Sequence, residues 1–302
     1  MLYGIVKLVS RLPLAMLHPL ADGAAFLLRY VVRYRRKVVR RNLTEAFPEL
    51  SPREIRRIER KYYQFLGDYV AETVRLLSMP ESEMRRRMKF EGLEQVNEDL
   101  RRGQCVSLFL GHYCNWEWVS SLPLHLEPSA HPCQIYHRMR NVPFEKLFLK
   151  IRSRFGATCV KMADAGLVVV GDYRRGTANV TGYIADQSPK YNSLHHFVPF
   201  LNHDTAVLTG TERLSRAVHA SVYYLDMSRP RRGEYLCRVV KMTDDAASLP
   251  KFELTDMYWR MFEETVRREP AYWLWSHRRW KHTFEGLKER FPDDWEQRLK
   301  RL

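Results

Sequence analysis

The chain has 302 residues, 45% of them hydrophobic, which is enough to bury one large core together with a helical extension. Lys and Arg outnumber Asp and Glu by 50 to 35, and a net charge of +15 draws a protein to polyanions: nucleic acid, an anionic membrane or a phosphorylated substrate. Five cysteines without regular spacing argue against a disulfide framework and predict buried free thiols in a reducing compartment.

The amino-terminal segment, residues 1–41, is apolar and then basic. Charged residues, His18 and two prolines interrupt the apolar part, so no run reaches the roughly 20 residues of a standard spanning helix. Residues 29–41 contain seven basic residues and no acidic one. This pattern predicts a membrane-associating segment on an anionic leaflet, as a shallow anchor or a short tilted insertion. The alternative is a core helix with a solvated basic end, and no removed signal peptide is expected.

A helical unit follows this segment. Ser51-Pro-Arg-Glu54 is a capping box, with Ser as N-cap, Pro at the first helical position and Glu at the third. Apolar residues then recur at helical spacing over 55–77, which predicts one buried face, and Pro80 ends the helix.

Strand-like and helix-like segments alternate in the rest of the chain. The predicted strands are Phe90 with its neighbours, 105–110, 133–137, 158–162, 179–184, 196–200, 221–225 and 235–240, and the predicted helices are 116–126, 144–155, 165–175, 205–218 and 258–268. The alternation predicts an α/β fold with a central mixed sheet flanked by helices. Because no long linker interrupts it, we expect residues 42–302 to form a single domain.

His112 and Glu117 lie where a predicted strand changes into a helix. The apolar run 106–110 ends at Gly111, His112 follows, and Glu117 falls in the first helical turn. A histidine at such a turn can fold back and meet the carboxylate, which would fix its tautomer and raise the basicity of its other nitrogen. That arrangement suits a general base, and the carboxyl end of a strand is the usual ligand edge of an α/β sheet. The same spacing also occurs around purely structural histidines.

Five segments in order resemble the bacterial lipid A biosynthesis acyltransferases, the late acyltransferases of the lysophospholipid acyltransferase superfamily. Gly-His-Tyr-Cys-Asn-Trp-Glu at 111–117 resembles the His-x4-Asp/Glu box of that family. The other four segments are similar to its Asn-Leu-x-x-x-Phe-Pro motif (42–48), the block after the catalytic strand (150–156), the Asp-Gln box (183–189) and the closing Pro-x-x-Tyr-x-Trp-x-His-Arg-Arg signature (269–281).

The resemblance implies a glycerolipid-acyltransferase-like fold and acyl transfer without a covalent enzyme intermediate. His112 would deprotonate a hydroxyl of a lipid A precursor, the oxygen would attack a thioester on acyl carrier protein or CoA, and Glu117 would stabilise the imidazolium. Residues implied to bind substrate are Asn115, Trp116, Tyr136, His137, Arg138, Asp186 and Gln187. The implied location is the cytoplasmic face of the bacterial inner membrane, and no cofactor or metal is expected.

Two parts of the resemblance leave alternatives. The family usually has Tyr-Arg after the 133–137 strand, whereas this chain has Tyr136-His137-Arg138, so either His137 or Arg138 takes the place of the family arginine. Asp186-Gln187-Ser-Pro is either part of the site, where the carboxylate and amide could bind substrate hydroxyls or orient a basic side chain, or simply a turn. The basic and aromatic segment 277–281 either binds acidic headgroups or holds the last helix to the sheet.

Other functions fit the sequence less well. Another membrane lipid or a polyene pigment is an alternative acceptor, and a non-enzymatic membrane-surface protein is a further alternative. A metal hydrolase would use donors among His112, Cys114, His125, His131 and Cys133, but their spacing matches no zinc pattern. A nucleic-acid-binding protein would explain the charge, yet the basic residues form no recognisable module, and we expect no nucleic acid partner.

Overall fold

The computed structural model describes residues 2–300 and 302, so Met1 of the amino-terminal segment lies outside the described residues. Its centre is a seven-stranded mixed sheet of order β1-β9-β8-β2-β5-β3-β4, and a two-stranded sheet pairs β6 with β7. The strands are β1 (Met88–Glu91), β2 (Val106–Leu110), β3 (His131–Tyr136), β4 (Thr158–Lys161), β5 (Asn179–Ile184), β6 (His196–Phe200), β7 (His203–Val207), β8 (Ser221–Arg231) and β9 (Glu234–Thr243). The predicted α/β fold with a central mixed sheet is confirmed.

Helices cover both faces of the sheet. They are α1 (Leu2–Val9), α2 (Leu14–Phe26), α3 (Arg36–Ala46), α4 (Pro52–Leu76), α5 (Glu81–Arg87), α6 (Leu93–Arg101), α7 (Val142–Arg152), α8 (Ala165–Arg174), α9 (Gly210–Ala217), α10 (Glu253–Arg268), α11 (Phe284–Arg290) and α12 (Trp295–Arg298). A π-helical turn spans Leu27–Val31, and a 3-10 helix spans Trp116–His125. Because β2 has neighbours on both sides and helices on both faces, all five of its residues are buried, which explains its continuous apolar sequence.

The parallel part of the sheet positions the site. Strand β2 pairs in parallel with β8 on one side and β5 on the other, and β5 pairs in parallel with β3. The carboxyl ends of these strands therefore lie along one edge. Only β8 and β9 form an antiparallel pair within this sheet.

The predicted helix over 205–218 is wrong at its start. Residues 203–207 instead form β7, which pairs antiparallel with β6 from His196↔Val207 to Phe200↔His203. Leu201 and Asn202 have positive φ angles of 49° and 64°, which closes a two-residue turn between the strands. The helix begins only at Gly210. Similarly, the predicted helix at 116–126 exists as a 3-10 helix rather than an α-helix.

The amino-terminal helices run antiparallel along α4. Ser10 contacts Ser78, and the Tyr63 hydroxyl donates to the Tyr34 carbonyl at the other end. The capping box that starts α4 is confirmed, since Ser51 and Glu54 exchange hydrogen bonds. Among the described residues, no helix combines the length and apolarity that crossing a bilayer requires.

Candidate active site

His112 lies immediately beyond the carboxyl end of β2. Gly111, between them, has a structural reason to be glycine, because a Cβ there would come within 2.2 Å of the Phe262 ring. Phe262 belongs to α10, which can therefore pack directly against the strand exit. The His112 carbonyl accepts a hydrogen bond from the Leu274 backbone N–H, which further fixes the turn.

Asp186, just beyond β5, holds His112. The His112 Nδ1 atom lies 2.6 Å from Asp186 Oδ1, and the His112 backbone N–H donates to Oδ2 at 3.0 Å. Trp273 also donates its indole N–H to Oδ2, at 2.8 Å. Burial raises the pKa of Asp186, but the charge of His112 and the hydrogen bonds from His112 and Trp273 outweigh it and lower the pKa to about 2. Asp186 is thus a buried carboxylate that stays ionised.

The other imidazole nitrogen, Nε2, is the one left to take up a proton. With Nδ1 bound to a carboxylate, the Nδ1–H tautomer is favoured and Nε2 carries the lone pair. Nε2 lies 3.2 Å from the amide nitrogen of Gln187, and the His112 side chain is 16% exposed. Trp116 packs edge-on against the imidazole with the ring centroids 5.0 Å apart. This geometry suits a general base that meets a substrate hydroxyl at Nε2.

Glu117 has a different partner from the one predicted. Arg152, the last residue of α7, donates from Nε to Glu117 Oε2 at 2.8 Å and from Nη2 to Oε1 at 2.5 Å. Tyr69 of α4 adds a hydroxyl at 3.4 Å. The predicted contact between His112 and Glu117 is therefore wrong, because Trp116 lies against the imidazole while Glu117 turns toward α7. Asp186 occupies the place beside the imidazole that we predicted for Glu117.

Arg152 is the site residue that the sequence reasoning missed. Burial lowers the pKa of Arg152, but the bidentate pairing with the Glu117 carboxylate outweighs it and raises the pKa above its usual value. A signal was present, since Arg152 belongs to the 150–156 block and directly follows the buried Ile151. Burial of this arginine requires a partner of opposite charge, which the sequence alone does not reveal.

Asn115 and Trp116 hold the turn between His112 and Glu117. Asn115 is fully buried and donates its amide to Glu72 Oε2 at 3.0 Å. Glu72 lies on α4, is itself buried, and also accepts the Tyr235 hydroxyl at 2.6 Å. Trp116 stacks on the Tyr69 ring with the centroids 4.2 Å apart. The side chain of Asn115 thus points to the interior of the protein, and its predicted contact with substrate is not supported.

Tyr136, His137 and Arg138 lie at the end of β3, on the same edge of the sheet as His112 but separated from it by β5. Tyr136 is buried, whereas His137 and Arg138 are exposed. His137 Nδ1 lies 3.0 Å from the Arg138 carbonyl, and Arg138 lies 4.0 Å from Glu145. The structure does not bring these three residues together with His112, so their role in substrate binding stays a prediction.

The closing segment contributes to the core and to the site loop. Arg279 is 1% exposed and donates to the Ala206 carbonyl at 2.6 Å, so it holds β7 rather than a headgroup. His277 Nε2 accepts from the Ser188 backbone N–H at 3.3 Å, beside the Asp186-Gln187 turn. Burial lowers the pKa of His277 to about 4, so it stays neutral near neutral pH.

The donors considered for a metal hydrolase do not assemble around His112. Within the described residues, His131, Cys133 and Asp172 come together, at the amino ends of β3 and β5 and thus at the opposite edge of the sheet. Asp172 already binds Arg175 and the Asn179 amide, each at 2.6 Å. The cluster is therefore a hydrogen-bonded group that joins strands and helix.

The comparisons with known proteins concern the chain as a whole. The model of the family described as bacterial lipid A biosynthesis acyltransferase matches residues 1–282. The lipid A biosynthesis lauroyltransferase of Escherichia coli (strain K12) is 23% identical over 95% of this chain and 92% of its own length. The lipid A biosynthesis palmitoleoyltransferase of the same strain is 24% identical over 92% of this chain and 89% of its own. The chain therefore belongs to the bacterial lipid A biosynthesis acyltransferase family and is an acyltransferase.

Proposed function

We propose that this acyltransferase moves a fatty acyl chain from a carrier-bound thioester to a hydroxyl of a lipid A precursor, with His112 as the general base. The observation that carries the proposal is the pairing of His112 Nδ1 with the buried Asp186 carboxylate, which leaves the Nε2 lone pair, beside the Gln187 amide, to take up a proton. The relatives support the acceptor, since they are named as lipid A lauroyl- and palmitoleoyltransferases.

The proposed reaction needs one proton carrier. Nε2 of His112 takes the proton of the acceptor hydroxyl while the hydroxyl oxygen attacks the thioester carbonyl. The tetrahedral intermediate collapses, the C–S bond breaks, and the leaving thiolate takes the proton back from His112. Asp186, whose pKa of about 2 keeps it ionised, stabilises the imidazolium between these two steps. In this mechanism Asp186 takes over the function that the sequence motif suggested for Glu117.

Glu117 and Arg152 act together in the proposal. The two hydrogen bonds between them fix the guanidinium beside the catalytic turn. A cation held in a partly dry site stabilises the charge that develops on a carbonyl oxygen far better than a mobile one, since it needs no reorganisation during the reaction. We assign this function to Arg152, with Glu117 as its positioning residue.

The amino-terminal segment, residues 1–41, supplies the membrane contact in this proposal. An acceptor that cannot leave the bilayer requires the site to come to the membrane surface. Leu8, Leu20, Val31 and Val32 are each more than 60% exposed, which is unusual for large apolar side chains in water. Peripheral attachment to the cytoplasmic face of the inner membrane explains these side chains and the surplus of positive charge. Acyl carrier protein is the donor in this proposal.

The test measures acyl transfer by His112→Ala and Asp186→Asn, with the lipid product identified by mass spectrometry. Loss of a general base lowers the rate roughly 10²–10⁴-fold. We expect Asp186→Asn to lower the rate of acyl transfer nearly as much, because the amide no longer enforces the Nδ1–H tautomer of His112. His219→Ala is the matched control, since His219 pairs with Asp245 at 3.0 Å on the exposed surface. Folded His112→Ala protein with activity within about threefold of wild type would contradict the base assignment.

The acceptor is tested separately. The lipids of a deletion strain and its parent are compared by mass spectrometry. Loss of an acyl chain from lipid A supports the proposal. A change confined to an amino-acid lipid or a polyene pigment would assign the same chemistry to that acceptor instead.

A further inference from the structure

Exposed apolar side chains also occur outside the amino-terminal segment. Beyond residue 34, the large apolar side chains that are exposed in the described part of the chain are Val70, Val142, Phe144, Met162, Leu167, Tyr173 and Val240. Four of them lie beyond the carboxyl ends of β3 and β4: Val142 and Phe144 at the start of α7, Met162 directly after β4, and Leu167 in the first turn of α8. We call these four the β3–β4 apolar patch after their position along this edge. Leu167 is 81% exposed, more than any other residue of this kind, so the patch is not explained by the fold.

The patch lies on the edge of the sheet that carries the site. Tyr136 of β3 pairs with Lys161 of β4 in the last register position of these strands, and Met162 follows directly. His112 and Asp186 follow the ends of β2 and β5 on the same edge. Helix α7 connects the two regions, because it starts at Val142 and ends at Arg152, which binds Glu117. Its 11 residues span about 16 Å.

Basic side chains surround the patch. His137, Arg138, Arg140, Lys146 and Lys161 are exposed, and they flank the patch in sequence. Of the nearby acids, Glu145 lies 4.0 Å from Arg138 and accepts a hydrogen bond from the Met139 backbone N–H at 2.8 Å. Asp164 is the other carboxylate in this region. Apolar side chains among an excess of cations form the pattern that binds the headgroup region of an anionic bilayer.

Helix α7 also lies beside the amino-terminal segment. The Lys150 ammonium group sits 4.3 Å from the centre of the Tyr3 ring, and Tyr3 is 43% exposed. The carboxyl end of α7 therefore lies next to α1, and Phe144 lies six residues before Lys150 in α7, about 9 Å along its axis. A bilayer offers apolar and anionic groups together, whereas a carrier protein that recognises cations has no need of four exposed apolar side chains.

We propose that the β3–β4 apolar patch is a second contact with an anionic bilayer, which sets the carboxyl edge of the sheet against the membrane surface. The proposal rests on the proposed function only in requiring an acceptor that resides in the bilayer. Two separate contacts fix the orientation of a protein on a surface, whereas a single anchor leaves it free to rotate. The site would then face its lipid in each binding event.

The experiment measures binding of the full chain to vesicles of phosphatidylcholine with and without phosphatidylglycerol. We expect Phe144→Asp and Leu167→Asp each to bind the anionic vesicles at least about fivefold more weakly, because each replaces an apolar contact by a repelled charge. Val240→Asp is the matched control, as Val240 is an exposed apolar residue of β9, on the other side of β2, and should bind as wild type does. If an aspartate variant fails to fold, Leu167→Ser replaces it and should also bind the anionic vesicles more weakly than wild type.

Acyl transfer distinguishes the outcomes. With acceptor in vesicles, Phe144→Asp and Leu167→Asp should lose activity, and with acceptor dispersed in detergent they should retain it. Vesicle binding equal to wild type in both variants overturns the proposal. Unchanged vesicle binding with a loss of transfer from acyl carrier protein but not from acyl-CoA also overturns it, and assigns the patch to the carrier. Failure of the general-base assignment would show itself in His112→Ala and not in these variants.

Discussion

At the scale of single residues, the catalytic turn carries His112 and Glu117, whose pairings differ in solvent access. His112 pairs with Asp186 and keeps 16% of its side chain exposed, whereas Glu117 is 2% exposed in its pair with Arg152. A proton donor or acceptor must reach the substrate, while a group that only orients an arginine need not. The burial of the two pairs therefore agrees with a base at His112 and a positioning function for Glu117.

We expect Glu117→Gln to be severely impaired and Glu117→Asp less so. The amide removes the charge that balances the buried Arg152 guanidinium, and breaking a buried pair typically costs about 3–5 kcal/mol of stability. The aspartate keeps the charge and changes only the reach. Activity is measured as kcat and KM on folded protein, with unfolding by urea measured beside it.

A double substitution shows how Glu117 acts. If it works through Arg152, adding Arg152→Gln to Glu117→Gln should cost little more than Glu117→Gln alone. Additive losses in kcat would mean that the two residues act separately. A glutamine variant as active as wild type would make Glu117 purely structural.

His277 predicts a specific dependence of stability on acid. Burial lowers its pKa in the folded protein to about 4, whereas an unfolded histidine titrates near 6.5. Between these values the unfolded chain binds a proton that the folded protein does not, so stability falls as pH decreases from about 6.5 to about 4. Above pH 6.5 both states are neutral at this residue and the effect is absent.

We expect His277→Asn to lessen this loss by at most about 2 kcal/mol, the value for a ring fully shielded from solvent. The measurement is urea unfolding of both proteins at pH 7 and pH 5. Partial burial also lowers the pKa of His125, His203 and His282, so the difference between the two proteins is the informative quantity. An identical loss in both would show that His277 is protonated in the folded state.

At the scale of elements, a close contact joins α2 to α4. A Cβ on Gly67 of α4 would lie 2.5 Å from the carbonyl oxygen of Ala21 and 3.2 Å from the Ala25 Cβ. Backbone cannot yield as the end of a flexible side chain can, so any larger residue must push the helices apart. This contact sets the distance of the amino-terminal segment from the core.

We expect Gly67→Ala to destabilise the protein by about 1–3 kcal/mol despite the better helix propensity of alanine. Gly23 in α2 is the matched control, because a Cβ there meets nothing within 4 Å. Gly23→Ala should stabilise by about 0.5–1 kcal/mol. Thermal unfolding of both variants is the measurement, and equal gains in stability would refute the close contact.

At the scale of the whole molecule, the amino-terminal segment is both a membrane contact and part of the core. Leu14, Leu17 and Val39 are at most 2% exposed and belong to the main hydrophobic core. Three of its basic residues, Arg29, Arg36 and Arg40, bind the buried Glu59. The separation of residues 1–41 from a domain at 42–302 stays a prediction, and the boundary falls within α3, which spans Arg36–Ala46.

Single substitutions therefore test the membrane contact better than truncation does. We expect Leu20→Asp and Val31→Asp to weaken binding to anionic vesicles while leaving the melting temperature unchanged, since these side chains are 62% and 64% exposed. Deletion of residues 1–41 should instead lower the melting temperature, because it uncovers the core around α4. Vesicle co-sedimentation and thermal unfolding measure the two effects. If Leu20→Asp and Val31→Asp bind vesicles as wild type does, the amino-terminal contact is refuted.

Much of the architecture was determined by local sequence. Apolar runs marked the strands β2 and β5 to within one residue, and Ser51 with Glu54 marked the start of α4, because burial and capping depend on neighbours along the chain. The segment 203–207 was misread because Thr205 to Val207 also fits a helical pattern. This segment is a strand because it pairs with β6, a contact that local sequence does not show.

The partner of His112 was decided by the tertiary structure. The sequence by itself determined that a histidine follows a buried strand and that Asp186 follows another, which placed both as candidates for the site. Which carboxylate meets the imidazole depends on the parallel pairing of β2 with β5, which brings together residues 74 positions apart. Glu117 lies only five positions from His112 in sequence but forms its salt bridge with Arg152 of α7. Sequence separation does not measure distance in a parallel sheet, because crossover connections bring the ends of distant strands to one edge.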